Sequence, residues 1–128
     1  LGKPLTECRI ALLSTGGVHL ADQPPFDLLS HDGDWTYREI PGDTPEADIR
    51  FSHSHIDTSE AEKDPNCMFP LTRLRDLAGE GFVGGVAPLH IGMMGFVPAI
   101  EKILEETGPE VAKKLVDAGT DAVLLTPG

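Results

Sequence analysis

"PEVAKKLVDAGTDAVLLTPG", Pro109 to Gly128, is the stretch that decides the fold. Pro109 stands at a permitted first-turn position, Val111, Leu115 and Val116 recur at helical spacing and predict an inward face, and Gly119 falls where a left-handed helix cap belongs. Ala122, Val123, Leu124 and Leu125 follow as an apolar run stopped by Pro127-Gly128, the pattern of a buried strand feeding a tight turn. A helix, a glycine and a buried strand in that order form the repeating unit of an α/β sheet. Ligands of such sheets collect just beyond the carboxyl ends of the strands, so the turn at Gly128 opens onto the expected site.

Working outward, "RIALLST" (Arg9 to Thr15) is a second apolar run ending in Gly16-Gly17, which predicts a buried first strand. Two adjacent prolines and Asp32-Gly33 predict irregular chain from Gly16 to Asp34, with a turn of helix at Phe26 to Leu29. "WTYREI" (Trp35 to Ile40) and "DIRFSHSH" (Asp48 to His55) read as extended runs and as candidate neighbours. "PLTRLRDLAGEG" places Leu71, Leu74 and Leu77 on one face of a helix starting at Pro70. "FVGGVAP" (Phe82 to Pro88) reads as a strand end or a closely packed loop at Gly84-Gly85. Phe96, Ile100, Ile103 and Leu104 predict a helical stripe between Gly95 and Thr107, while Met93 and Met94 suggest flexible packing or a mobile loop. The expectation is one α/β domain over residues 1–128: three layers, a mostly parallel, Rossmann-like sheet flanked by helices, with an incomplete edge that favours association.

Charge and composition restrict the partners. In 128 residues there are 10 Lys and Arg against 21 Asp and Glu, a formal charge of -11, which repels nucleic-acid phosphates and anionic membranes. No apolar run approaches the roughly 18 residues of a membrane span, and "LGKPLTEC" lacks the features of a signal peptide, so a cytoplasmic location is expected. Cys8 and Cys67 form no CxxC pair and read as reduced thiols, with a bridge between them still open.

Three places carry candidate chemistry. Gly16-Gly17 after the first strand lets backbone N–H groups approach an anion, or simply makes a tight turn, since neither a GxGxxG nor a GxxxxGK[ST] pattern is present. His53, His55 and Asp57 in "HSHID" alternate, so on a strand all three point to one face and can grip a metal ion. The segment is similar to the HxHxDH motif of metallo-β-lactamase-like hydrolases, with Thr58 where the last His stands; hydrogen bonding at a strand end is the competing reading. Cys67, just ahead of a helix, is either a thiol activated by the helix N-terminus or a small buried apolar residue. A metal-dependent module using His53, His55 and Asp57, and a non-catalytic small-molecule binding domain, are therefore alternatives.

"LLSTGGVHLADQPPFD", "REIPGDTPEADIRFSHSHIDTSEAEKDPNCMFPLTRL", "GGVAPLHIGMMGFVP" and "DAVLLTPG", in this order along almost the whole chain, resemble the selenoprotein B family of glycine, sarcosine and betaine reductases, especially its stand-alone bacterial members. The resemblance implies an oxidoreductase with selenocysteine or cysteine in a U/C-x-x-C motif directly after a segment like "DAVLLTPG". On that expectation the chain is the front part of a longer reductase, lacks the nucleophile and is inactive alone. On the same expectation, truncation at a UGA codon is the hypothesis for an end at Gly128, with proteolysis, a designed boundary or disordered residues beyond Gly128 as its rivals. The implied partners are a small-molecule substrate, a thioredoxin-like thiol reductant, and another copy or other reductase subunits; no cofactor besides selenocysteine is implied. In multi-subunit members a partner's carbonyl group activates the substrate amine and a selenoprotein A receives the product group. His19, Asp22, His53, His55, Asp57, Cys67 and His90 are the candidates for substrate contact or proton transfer, with Gly16, Gly17, Gly84 and Gly85 as turns near the site.

Overall fold

The computed structural model describes residues 2–128. It belongs to the α/β class. A five-stranded, mostly parallel sheet is built on β1 (Arg9–Ser14), and a two-stranded antiparallel sheet joins β2 (Val18–Leu20) to β4 (Ile49–Phe51). In the larger sheet β1 runs parallel to β5 (Gly85–Val86), β6 (Leu89–Met93) and β7 (Ala122–Thr126), while β3 (Tyr37–Pro41) pairs antiparallel with β6. The helices are α1 (Ser59–Lys63), α2 (Leu71–Gly79), α3 (Ile100–Lys102) and α4 (Gly108–Asp117), with a π-helical stretch at Ile103–Thr107. That stretch precedes Pro109, which has no N–H to continue the ordinary helical ladder.

The alternation of β1 explains the layering. Ile10 and Leu12 join Phe69, Leu71 and Leu74 in a core on the α2 side, whereas Ala11 packs with Ile91, Val111 and Leu115 on the α4 side. Both faces of β1 are thus buried, as its continuous apolar run predicts. Gly119, at φ +74°, caps α4 as expected, and Asp121 then ties β7 to β1: its backbone N–H donates to Arg9 O at 2.9 Å and its carboxylate accepts from Arg9 N at 2.8 Å.

Several expectations are corrected. β7 lies at the sheet edge, so Val123, Leu124 and Leu125 are 39, 47 and 68% exposed rather than buried. Ile100, Leu104 and Val116 are also exposed, and Phe96 lies in irregular chain ahead of α3 rather than in a helix. Leu77 is exposed although Leu71 and Leu74 are buried. The loop after β1 contains β2 and no helical turn; Phe26 is instead buried beneath the Arg38 guanidinium, which donates to Pro24 O and Pro25 O. β3 and β4 are not neighbours but pair with β6 and β2, and Met93 and Met94 are buried at the end of β6.

Candidate active site

The carboxyl ends of β1, β6 and β7 converge on the Thr15-Gly16 peptide. Thr15 N donates to Thr126 O at 3.0 Å and Gly17 N donates to Met93 O at 2.8 Å, so the chain leaving β1 is gripped from both sides. The Ser14 and Thr126 hydroxyls, from adjacent strands, both donate to Met68 O at 3.0 and 2.8 Å. This holds the Cys67-Met68 segment across the strand ends. Beyond β7 the Gly128 N–H donates to Thr15 Oγ1 at 3.1 Å, and Gly128 lies so close that a Cβ on it would stand 2.3 Å from Gly16 Cα. Gly16 is as restricted, since its own Cβ would meet the Met68 methyl at 2.4 Å. Leu13, Thr15, Leu125, Thr126 and Pro127 line a shallow pocket of about 270 Å³ beside this junction.

His53 borders the same peptide from a third direction. A Cβ on Gly95 would lie 3.0 Å from both His53 Nε2 and Thr15 O. His53 Nδ1 accepts the His55 N–H at 3.0 Å, so the neutral ring carries its proton on Nε2, a buried atom with no hydrogen-bond partner among the described residues. Burial, then the neighbouring His55, push the His53 pKa below its ordinary value and favour that neutral form. His55 stacks on Phe96 with ring centroids 4.0 Å apart, and Cys67 presents an exposed thiol on the Met68 segment. Cys67 is therefore not a buried apolar filler. Cys8 is the buried cysteine, in the α2-side core, and both thiols are free.

The alternating metal arrangement does not form, because β4 stops at Phe51 and His53 to Asp57 follow bends rather than a strand. Asp57 Oδ1 accepts the Ser59 N–H at 2.9 Å, the interaction that chiefly lowers its pKa, and among the described residues no three His, Cys, Asp or Glu side chains gather around a point fit for a metal ion. Other candidates lie elsewhere. His19 is buried on β2, donating from Nδ1 to Leu20 O and accepting the Ser52 hydroxyl at Nε2, both at 2.9 Å; burial chiefly lowers its pKa. Asp22 lines a groove of about 550 Å³ with Asp43 and Asp48 at the far end of β2. Gly85 pairs with Arg9 at the amino end of β1, and Gly84 packs against Glu7-Cys8, so this pair sits at the end of the sheet opposite Gly16. His90 is inside the α2-side core, where Nδ1 accepts the Leu12 N–H at 2.8 Å. It replaces a ladder bond at the break between β5 and β6. Of the candidate residues, Gly16, Gly17, His53, His55 and Cys67 occupy the rim; Gly95, Phe96, Met68 and Thr126 join it unforeseen. Polar residues closing apolar strands, Ser14-Thr15 and Thr126, were the available signal.

The family model of glycine/sarcosine/betaine reductase selenoprotein B matches residues 3–128. The chain belongs to that family. It is 44% identical over 126 residues to the D-proline reductase subunit gamma of Acetoanaerobium sticklandii, covering 98% of this chain and 51% of that protein. It is 30% identical to the sarcosine reductase complex component B subunit beta of Peptoclostridium acidaminophilum, and 28% identical to the betaine counterpart from the same organism; each alignment covers 97% of this chain and 29% of the relative. The chain thus spans about half the length of the first relative and under a third of the other two. No solved structure matches it. Among the described residues no helix is long and apolar enough to cross a membrane.

Proposed function

We propose that this chain is the front part of a selenoprotein B-type reductase subunit, whose selenocysteine or cysteine, in a U/C-x-x-C motif following Gly128, acts at the Thr15-Gly16 rim. The observation that carries the reading is the path of β7. Its exit seats Gly128 against Gly16, at the junction of three strand ends with His53 beside it, where an α/β sheet ordinarily binds ligands. A selenolate or thiolate there forms a bond to the substrate carbon while the carbon–nitrogen bond breaks and its electron pair leaves on nitrogen. The neighbouring thiolate then attacks the adduct's selenium or sulfur; the carbon departs with the electron pair and takes a proton, and the motif closes to a selenenylsulfide or disulfide. A reduced dithiol protein of the thioredoxin type reopens it. The names of the relatives support a small amino-acid-derived amine as substrate and other reductase subunits as partners.

The gene read through codon 129, together with thiol-dependent reductase assays of the 128-residue chain and of its extended product, tests this. An in-frame UGA or Cys codon and activity confined to the extended product are expected. Equal rates from both would overturn the proposal.

A further inference from the structure

We propose that the groove at the far end of β2 is a docking site for an arginine side chain presented by a partner protein. It lies away from the rim, so the inference goes beyond the reductase reading and does not depend on it. Backbone hydrogen bonds fix the groove's walls. Ala21 N donates to Asp48 O at 2.9 Å just past the β2–β4 pair, which brings the Asp22 segment beside Asp48, and Thr44 N donates to Pro41 O at 3.1 Å in the turn that carries Asp43. What this surface offers a ligand is chiefly acceptors. Pro41 and Pro45 have no N–H, and those of Leu20, Ala21, Thr44 and Asp48 are taken up by Gln23 Oε1, Asp48 O, Pro41 O and Pro45 O. Asp22, Asp43 and Asp48 enter no ion pair among the described residues. The chain's own guanidiniums on these segments are spent on carbonyls, Arg50 on Ala47 O and Ile49 O, Arg75 on Gly42 O and Thr44 O. Thr44 supplies an independent sign of a ligand. It lines the groove yet is only 5% exposed, both its backbone groups are satisfied, and its hydroxyl has no hydrogen-bond partner among the described residues. A buried hydroxyl beside unpaired carboxylates calls for a cationic donor. The three carboxylates do not gather around a point fit for a metal ion. A guanidinium suits them: it has N–H donors and no acceptor, its planar fork matches carboxylates, and its aliphatic stem can lie along Pro41 and Pro45. The groove, about 550 Å³, is open to solvent, where an isolated small cation is screened by salt. A partner protein holds the arginine in place and excludes that water, which is why the occupant is assigned to one.

The test is a titration of the isotope-labelled 128-residue chain with the peptide acetyl-Gly-Arg-Gly-amide at low salt, read from backbone amide chemical shifts. Saturable shifts centred on Ala21, Asp22, Asp43, Thr44 and Asp48 are expected. The same peptide with glutamine in place of arginine should produce none, and with lysine it should bind several-fold more weakly. Thr44→Val, which keeps the side-chain shape without the hydroxyl, should weaken the arginine peptide by about tenfold. The exposed pair Asp22→Asn and Asp43→Asn should together weaken it by about fivefold, so the proposal remains testable if the Thr44 variant folds poorly. Shifts that climb without saturation over the whole acidic surface, or an affinity unchanged in both variants, would overturn the docking site. Putrescine binding there as tightly as the arginine peptide would overturn the arginine assignment in favour of a free amine.

Discussion

His90 shows how a single side chain takes over backbone work. β1 pairs with β5 at Arg9 and Ile10 and with β6 at Leu13 and Ser14, and between them the Leu12 N–H is given to His90 Nδ1. Burial pushes the His90 pKa down to about 4 from 6.5. The unfolded chain therefore takes up a proton that the folded one refuses between those values. This contribution is complete above the unfolded pKa and falls away as pH drops toward 4, by about 3 kcal/mol in all. Urea melts from pH 7.5 to 4.5 should show that slope, and His90→Asn, which keeps an acceptor without a titrating ring, should flatten it. At Gly17, φ is +71° and a Cβ would lie 1.9 Å from Ser52 O, so Gly17→Ala should cost roughly 3 kcal/mol in a denaturant melt. Glycine was readable as a turn at this position; the Ser52 carbonyl pressed against it was not, because it arrives from 35 residues away in sequence.

At the scale of elements, β1 was legible because its apolar run is buried on both faces, and the Gly119 cap because it depends on local backbone alone. β2 and β6 were missed for opposite reasons. β2 has three residues within a proline- and glycine-rich stretch, and β6 interrupts its apolar character with His90 and Gly92. Gly92 is needed because Val18 O crosses 1.9 Å from its Cβ position, a contact made only when β2 folds back over β6. β7 has a strand's composition but lies at an open edge, with Leu125 68% exposed. Exposed apolar edges template pairing between chains. In sedimentation velocity the 128-residue chain should therefore self-associate with rising concentration, and Leu125→Asp should reduce that association; a sedimentation coefficient independent of concentration in the unmodified chain would refute the expectation.

Over the whole molecule, a charge of -11 opposes compaction. Raising sodium chloride from about 20 to about 300 mM should screen this self-repulsion and lift the melting temperature by roughly 2–5 °C. A fall would mean that ion pairs such as Lys114–Glu39, at 2.7 Å, outweigh the repulsion. By itself the sequence determined the α/β class, the buried first strand, the capped final helix and the family, because periodicity, caps and residue blocks in order are properties of the chain alone. Only the tertiary structure decided which residues share the rim. Thr15-Gly16, Met68, Gly95, His53 and Gly128 come from five separate segments and meet only when the strand ends align. Spacing in "HSHID" predicted one face for its two imidazoles and carboxylate, yet the end of β4 at Phe51 removed the strand that would have aligned them. It left His53 beside Gly95 and turned Asp57 to Ser59, since local spacing acquires direction only from the backbone it lies on.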